Sequence, residues 1–181
     1  MQPKVSVFIA TSLDGYIARE DGSIDWLMEA NQQAPAGEDG GYKAFISTVD
    51  MLVMGRVSFE KVQEFDPWPY TNLPVIVLSS EPIDIPNHLK ENVTNSDKKP
   101  HELMYELAEQ NIQHIYLDGG ITIQNFLRES LVDEITITIV PVLLGSGRPL
   151  FGSLTNDIKL ERLSSRSIDG GWVQMHFRII K

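Results

Sequence analysis

The chain has no cysteine. Disulfides and thiolate metal sites are therefore excluded, and the four histidines, His88, His101, His114 and His176, fall without metal-type spacing. Positive charge is also scarce: 15 lysines and arginines stand against 25 aspartates and glutamates, a net charge of −10. That balance argues against nucleic acid or an anionic membrane surface as a partner. An anionic ligand needs local positive potential here, because the global field repels it. No apolar run approaches the roughly 18 residues of a membrane span. The start, Met1-Gln2-Pro3-Lys4 before a short apolar stretch, lacks the pattern of a secretory signal. Neither a Walker loop nor a Gly-x-Ser-x-Gly elbow occurs. The expectation is a cytoplasmic protein whose partner is a small molecule, with no metal.

What is present suits one globular domain over residues 1–181, with an ordinary hydrophobic share of 42% and charged share of 22%. Val5 to Ala10, Met51 to Met54, Pro74 to Leu78 and Ile115 to Leu117 are apolar runs that suit strands buried on both faces. Val93 suits a further short strand. Helices are expected over Tyr42 to Val49, Ser58 to Phe65, from Pro100, and from Gly120 through Leu127. Ser12 to Asp25 and Asn31 to Gly41 are glycine-bearing stretches that predict loops. Glu134 to Leu144 alternates and is rich in Ile, Thr and Val, a strand signal. Leu160 to Ser167 and Trp172 to Ile180 flank Asp169-Gly170-Gly171, a hairpin signature. Strand–helix units followed by a hairpin predict a three-layer α/β/α sandwich, mostly parallel, with an antiparallel C-terminal edge.

Three loops follow three of the apolar runs, and ligands of open α/β sheets bind at that rim. Gly55-Arg56-Val57-Ser58 offers an arginine, a hydroxyl and a helix start. Leu78-Ser79-Ser80 ends the next run. Asp118-Gly119-Gly120-Ile121-Thr122 breaks a strand at two glycines and turns at once into a helix. A helix start leaves backbone N–H groups free, and glycine lets an anion approach them closely. The guanidinium fork of arginine matches a phosphate. Together the loops point to a phosphate or diphosphate; a capped helix, a strand exit and a tight turn are the plain alternative.

These landmarks resemble the dihydrofolate reductase fold. Met54-Gly55-Arg56-Val57-Ser58-Phe59-Glu60, Val77-Leu78-Ser79-Ser80 and Asp118-Gly119-Gly120 look like its cofactor-binding segments. Ala10, Ser12-Leu13-Asp14-Gly15-Tyr16-Ile17-Ala18 and Asp25-Trp26-Leu27 resemble its first strand, mobile loop and tryptophan. Pro141-Val142-Leu143-Leu144-Gly145-Ser146-Gly147-Arg148-Pro149-Leu150-Phe151 is similar to the C-terminal reductase domain of the bifunctional riboflavin-pathway deaminase–reductases and their stand-alone relatives. The resemblance runs from about Val5 to Ile180.

The resemblance implies NADPH as hydride donor. It implies Arg56 and Ser79-Ser80 on the adenosine 2′-phosphate, with Gly55, Val57 and Ser58 on the phosphates. Gly119, Gly120, Ile121 and Thr122 would cradle the diphosphate, with Leu78 and Asp118 beside these loops. Ala10 and Ile17-Ala18 would line the nicotinamide. Glu81 is discordant, since a carboxylate there repels a 2′-phosphate. The resemblance also implies a catalytic carboxylic acid near Asp39 or Glu38; a solvated pair or a helix cap is the alternative. Trp26, Tyr42, Trp68 and Tyr70 are expected in the substrate pocket, or else in the core. Tyr70-Thr71-Asn72-Leu73-Pro74 lacks the arginine that folate enzymes use for the substrate carboxylate, so dihydrofolate is not expected as substrate. Without a Cys/His zinc motif or a deaminase segment, the bifunctional enzyme is not expected either. Arg148 and Lys43 remain as anion anchors or surface charges.

The expectation is an NADPH-dependent oxidoreductase acting on a small heterocycle. The alternatives are a 5-amino-6-(5-phosphoribosylamino)uracil reductase and a non-catalytic NADP(H)-binding protein. Ile135, Ile137, Ile139 and Val142 form an apolar strip that predicts a homodimer face, or a central strand.

Overall fold

The computed structural model describes residues 1–33, 35 and 37–181. Among these residues, ten strands and five α-helices occur in the order β1 (Lys4–Ser12), β2 (Tyr16–Ala18), α1 (Asp25–Gln33), α2 (Tyr42–Ile46), β3 (Met51–Gly55), α3 (Arg56–Val62), β4 (Val75–Leu78), β5 (Val93–Ser96), α4 (Pro100–Glu109), β6 (His114–Asp118), α5 (Gly120–Arg128), β7 (Glu134–Val140), β8 (Arg148–Pro149), β9 (Leu160–Ile168) and β10 (Trp172–Ile179). Eight strands form one sheet in the order β5-β4-β3-β6-β1-β7-β10-β9. The six from β5 to β7 are parallel, and β10 pairs antiparallel with both β7 and β9. This is the dihydrofolate reductase-like α/β/α sandwich.

Strand alternation decides which helix covers which face. Met51 and Val53 join Val5, Val7, Ile115 and Leu117 under Leu103, Leu107, Ile123 and Phe126 of α4 and α5. Leu52 and Met54 project the other way, with Val75, Val77 and Tyr116, beneath Phe45 of α2 and Phe59 of α3. Phe59 and Phe126 are fully buried. Each such side chain contributes about 1.5–3 kcal/mol of transfer free energy. A third cluster sets Trp26, Leu27 and Ala30 of α1 against Val140, Ile168 and Trp172.

Several element boundaries differ from the sequence expectation for identifiable reasons. The expected loop from Ser12 to Asp25 contains β2, which pairs with β8 in a two-stranded ribbon. The expected loop from Asn31 to Gly41 begins inside α1, which extends to Gln33; part of it, Ala34 and Ala36, lies outside the described residues. Helix α2 ends at Ile46 rather than Val49. The Ser47 and Thr48 hydroxyls donate to the carbonyls of Ala44 and Phe45, a local alternative to further helix. Helix α3 starts at Arg56, two residues earlier than expected. Strand β7 stops at Val140, because Pro141 has no N–H for the ladder. Of the apolar strip expected as a homodimer face or a central strand, Ile135 and Ile137 are buried within the chain, on β7 between β1 and β10, and Ile139 and Val142 are partly buried.

Candidate active site

The parallel register brings four strand ends close to one level. Gly55 of β3 pairs with Leu78 of β4, which pairs with Ser96 of β5; Met54 pairs with Asp118 of β6. Their following loops open into one cleft of about 1340 Å³. Every residue expected around a dinucleotide lines it: Ala10, Ile17, Gly55, Arg56, Val57, Ser58, Leu78, Ser79, Ser80, Asp118, Gly119, Gly120, Ile121 and Thr122. The structure thus brings together residues more than a hundred positions apart in the chain.

At the centre, two glycine backbones meet two hydroxyls. Gly119 has φ +90°, and a Cβ there would stand 2.6 Å from Ser58 Oγ. A Cβ on Gly55 would stand 2.7 Å from Thr122 Oγ1. Any side chain at either position would fill the cradle. The first helical bond of α5 runs from the Ile123 amide to the Gly119 carbonyl, 2.8 Å. The amides of Gly120, Ile121 and Thr122 precede it and carry the positive end of a nine-residue helix. The residues present fit a diphosphate: small backbone, free amides and two hydroxyls.

The ribbon of β2 and β8 forms the opposite wall. A Cβ on Gly120 would lie 3.0 Å from both Ile17 Cδ1 and the Pro149 carbonyl, so a side chain there would press against the ribbon. The ribbon is tied down from two sides. The Asp14 carboxylate accepts the amides of Leu144 and Gly145, at 3.1 and 2.7 Å. Gln124 Nε2 donates to the Pro149 carbonyl at 3.1 Å. Arg148 donates from Nε to the Glu20 carbonyl and lines the cleft.

Asp118 differs from its neighbours. It lies at the inner end of the cleft, partly open to it, with its carboxyl enclosed by protein atoms. Burial raises its pKa above the usual carboxylate range, against the opposing effect of the Gly119 amide. Tyr42, Tyr70 and Tyr116 surround this region. Burial is the largest cause that pushes Tyr42 up to about 12 and raises Tyr70 and Tyr116 too, and the Asp118 charge adds to each. A carboxyl held up in pKa by burial, with phenols around it, is placed to take part in proton transfer.

The two carboxylates expected to supply that proton lie elsewhere. Asp39 is exposed, outside the cleft. It accepts the amides of Lys43 and Gly41, which lower its pKa, the opposite of what an acid catalyst needs. Glu38 accepts the Gly40 amide at 2.7 Å and pairs with Arg166 at 3.2 Å, tying the α2 approach to the edge strand. Of the four expected pocket aromatics, Tyr70 lines the cleft. Trp26 and Trp68 are core residues, with indole N–H groups buried and unpartnered. Tyr42 packs edge-on against Phe8 and Tyr116. Lys43 lies away from the cleft. Sequence reasoning missed Ser96-Asp97-Lys98-Lys99, which also lines it. Only Val93 marked the preceding strand, so the two lysines before Pro100 gave no sign of standing on the same rim.

The family described as RibD C-terminal domain matches residues 3–174. The uncharacterized protein YwjB of Bacillus subtilis is 38% identical over 179 residues, 98% of both chains. A crystal structure of a Shewanella sp. PV-4 protein, provisionally named for riboflavin biosynthesis, has a TM-score of 0.90 at 38% identity and covers both chains fully. Dihydrofolate reductase from Enterococcus faecalis, crystallised with NADP(H), shares the fold at a TM-score of 0.67 and 16% identity, over 100% of this chain and 99% of that one.

Proposed function

The chain belongs to the RibD C-terminal domain family, and on that premise we propose that it is an NADPH-dependent reductase of a small heterocyclic substrate. The fold and the family are those of reductases. The observation that carries the finer reading is the convergence of Arg56, Ser80, Gly119 and Ala10 on one cleft.

When bound, NADPH supplies a hydride from its nicotinamide ring. The chain's own residues do the rest. The α5 amides and the Gly55–Gly119 cradle hold the diphosphate, with Ser58 and Thr122 completing its shell. Arg56 and Ser80 face the 2′-phosphate; the Ser79 hydroxyl is turned inward and donates to the Glu81 carbonyl at 2.7 Å. Ala10 and Ile17 form the wall for the ring. Ile24, Leu27 and Tyr70 exclude water from the reacting end. Asp118 is the carboxyl at the inner end of the cleft that would pass a proton to a C=N or C=O bond as it is reduced, with its pKa raised by burial.

A second reading has one observation in its favour. Arg148 lines the same cleft without a carboxylate partner among the described residues, so it is free to take a substrate phosphate. That would suit 5-amino-6-(5-phosphoribosylamino)uracil.

The test is NADPH oxidation followed with a panel of C=N and C=O heterocycles, this pyrimidine included. The leading reading expects turnover with a panel member and its loss in Asp118→Asn. If the phosphorylated pyrimidine alone turns over, and Arg148→Ala raises its KM, the second reading takes its place. Tight NADPH binding with no turnover of any substrate would remove the enzymatic claim.

A further inference from the structure

The cations around the adenosine end of the cleft are not equivalent. Arg56 pairs with Glu60 one helical turn on, at 3.5 Å, with both side chains about half exposed. Lys61 pairs with Glu64 at 2.7 Å. Lys98 pairs with Glu106. Among the described residues, Lys99 forms no ion pair: Glu102 faces it, but its carboxylate accepts the Lys99 backbone amide at 3.0 Å. Lys99 is exposed, lines the cleft and caps the start of α4.

The position of Lys99 follows from the sheet. Ser96 is level with Leu78, and Leu78 with Gly55, so the β5–α4 loop stands two strands from Arg56, roughly 10 Å at the usual strand spacing. Ser79-Ser80 lies between them. A backbone bond from the Ser79 amide to the Ser96 carbonyl, 3.0 Å, holds the two loops together. Long side chains from either flank reach the middle strand end. Glu60 and Asp97 line the same rim, and Glu106 already holds Lys98, so a phosphate monoester there needs a cation not already neutralised.

We propose that Lys99 is a determinant of selectivity for a 2′-phosphorylated dinucleotide, the free cation that faces Arg56 across Ser80. This rests on the NADPH reading above and adds a residue to it. Arg56 must exchange Glu60 for the phosphate, which weakens its contribution. Lys99 has nothing to exchange.

Titration of the purified chain with NADPH, NADH and adenosine 2′,5′-bisphosphate, followed by tryptophan quenching, tests this. Lys99→Gln is expected to weaken NADPH and the bisphosphate about tenfold and to leave NADH within about twofold, a difference that shrinks in high salt. Lys99→Arg is expected to restore NADPH. Glu60→Gln is expected to tighten NADPH a few-fold by freeing Arg56. If Lys99→Gln weakens both dinucleotides equally, or neither, the assignment is overturned while the NADPH reading stands. A wild-type chain that binds neither cofactor overturns both.

Discussion

Gly119 and Ser58 stand so close that the smallest side chain on the glycine would collide with the serine hydroxyl, at 2.6 Å. Gly119 caps α5 and Ser58 lies on α3, helices that cover opposite faces of the sheet. The contact therefore fixes the relative placement of the two phosphate-facing loops.

Gly119→Ala is accordingly expected to do two things. The φ of +90° strains any other residue by about 1–3 kcal/mol, lowering Tm, and the methyl closes the cradle. NADPH and NADH should lose affinity alike, since the diphosphate is common to both. Adding Ser58→Ala should recover part of the Tm and none of the affinity. Differential scanning calorimetry and fluorescence titration of the single and double variants check this.

Asp118→Asn is expected to trade function for stability. The folded pKa of Asp118 is raised by burial, whereas the unfolded carboxyl ionises near 3.9. As pH climbs above that value, the unfolded chain releases a proton that the folded chain keeps. Asp118 therefore destabilises the fold progressively until pH passes its folded pKa. At neutral pH the variant should melt higher than wild type, and near pH 3 the two should converge. Turnover should fall by about a hundredfold or more. A variant less stable at pH 7 would show that the carboxyl is not destabilised by its surroundings.

His114 carries an opposite dependence at the other end of the sheet. Its ring is half-buried, with Nδ1 2.9 Å from the Thr48 carbonyl and Nε2 2.8 Å from the Ser6 hydroxyl. Burial lowers its pKa from the ordinary value of about 6.5. The stability it provides is present above that value and lost as pH falls through the folded pKa. Wild type should lose more Tm between pH 7.5 and pH 5.5 than His114→Gln does. Equal losses would remove the effect.

Asp39→Ala should leave the pH profile of turnover unchanged. Its carboxylate holds the first amides of α2 and faces no cleft, so the readout is a drop in Tm alone. A shifted profile would return Asp39 to the catalytic set.

The cofactor half of the cleft was legible because each of its residues sits beside a continuous apolar strand, and strand ends are where α/β ligands bind. Gly55, Ser79 and Gly119 needed only the order of strands to be brought together. The proton-handling half was not legible. Asp118 lies next to the double glycine and reads as part of that turn, since nothing in a linear pattern tells which face of a sheet a strand's last side chain joins. Tyr70 reaches this region from a loop and Tyr116 from β6, and their convergence is a tertiary fact. Trp26 and Trp68 have the composition of pocket walls and the burial of core. Lys99 escaped notice because β5 holds one buried apolar residue, Val93, and three polar ones, so it does not resemble the strand it is.

The strand-end cleft is proposed to grip a 2′-phosphorylated nicotinamide dinucleotide, and equilibrium titration of wild type and Arg56→Ala with NADPH and with NADH decides it. Saturable binding is expected, with NADPH preferred by wild type, and in Arg56→Ala a loss of about tenfold for NADPH with NADH nearly unchanged. Equal affinities in wild type, or no saturable binding of either dinucleotide, would contradict it.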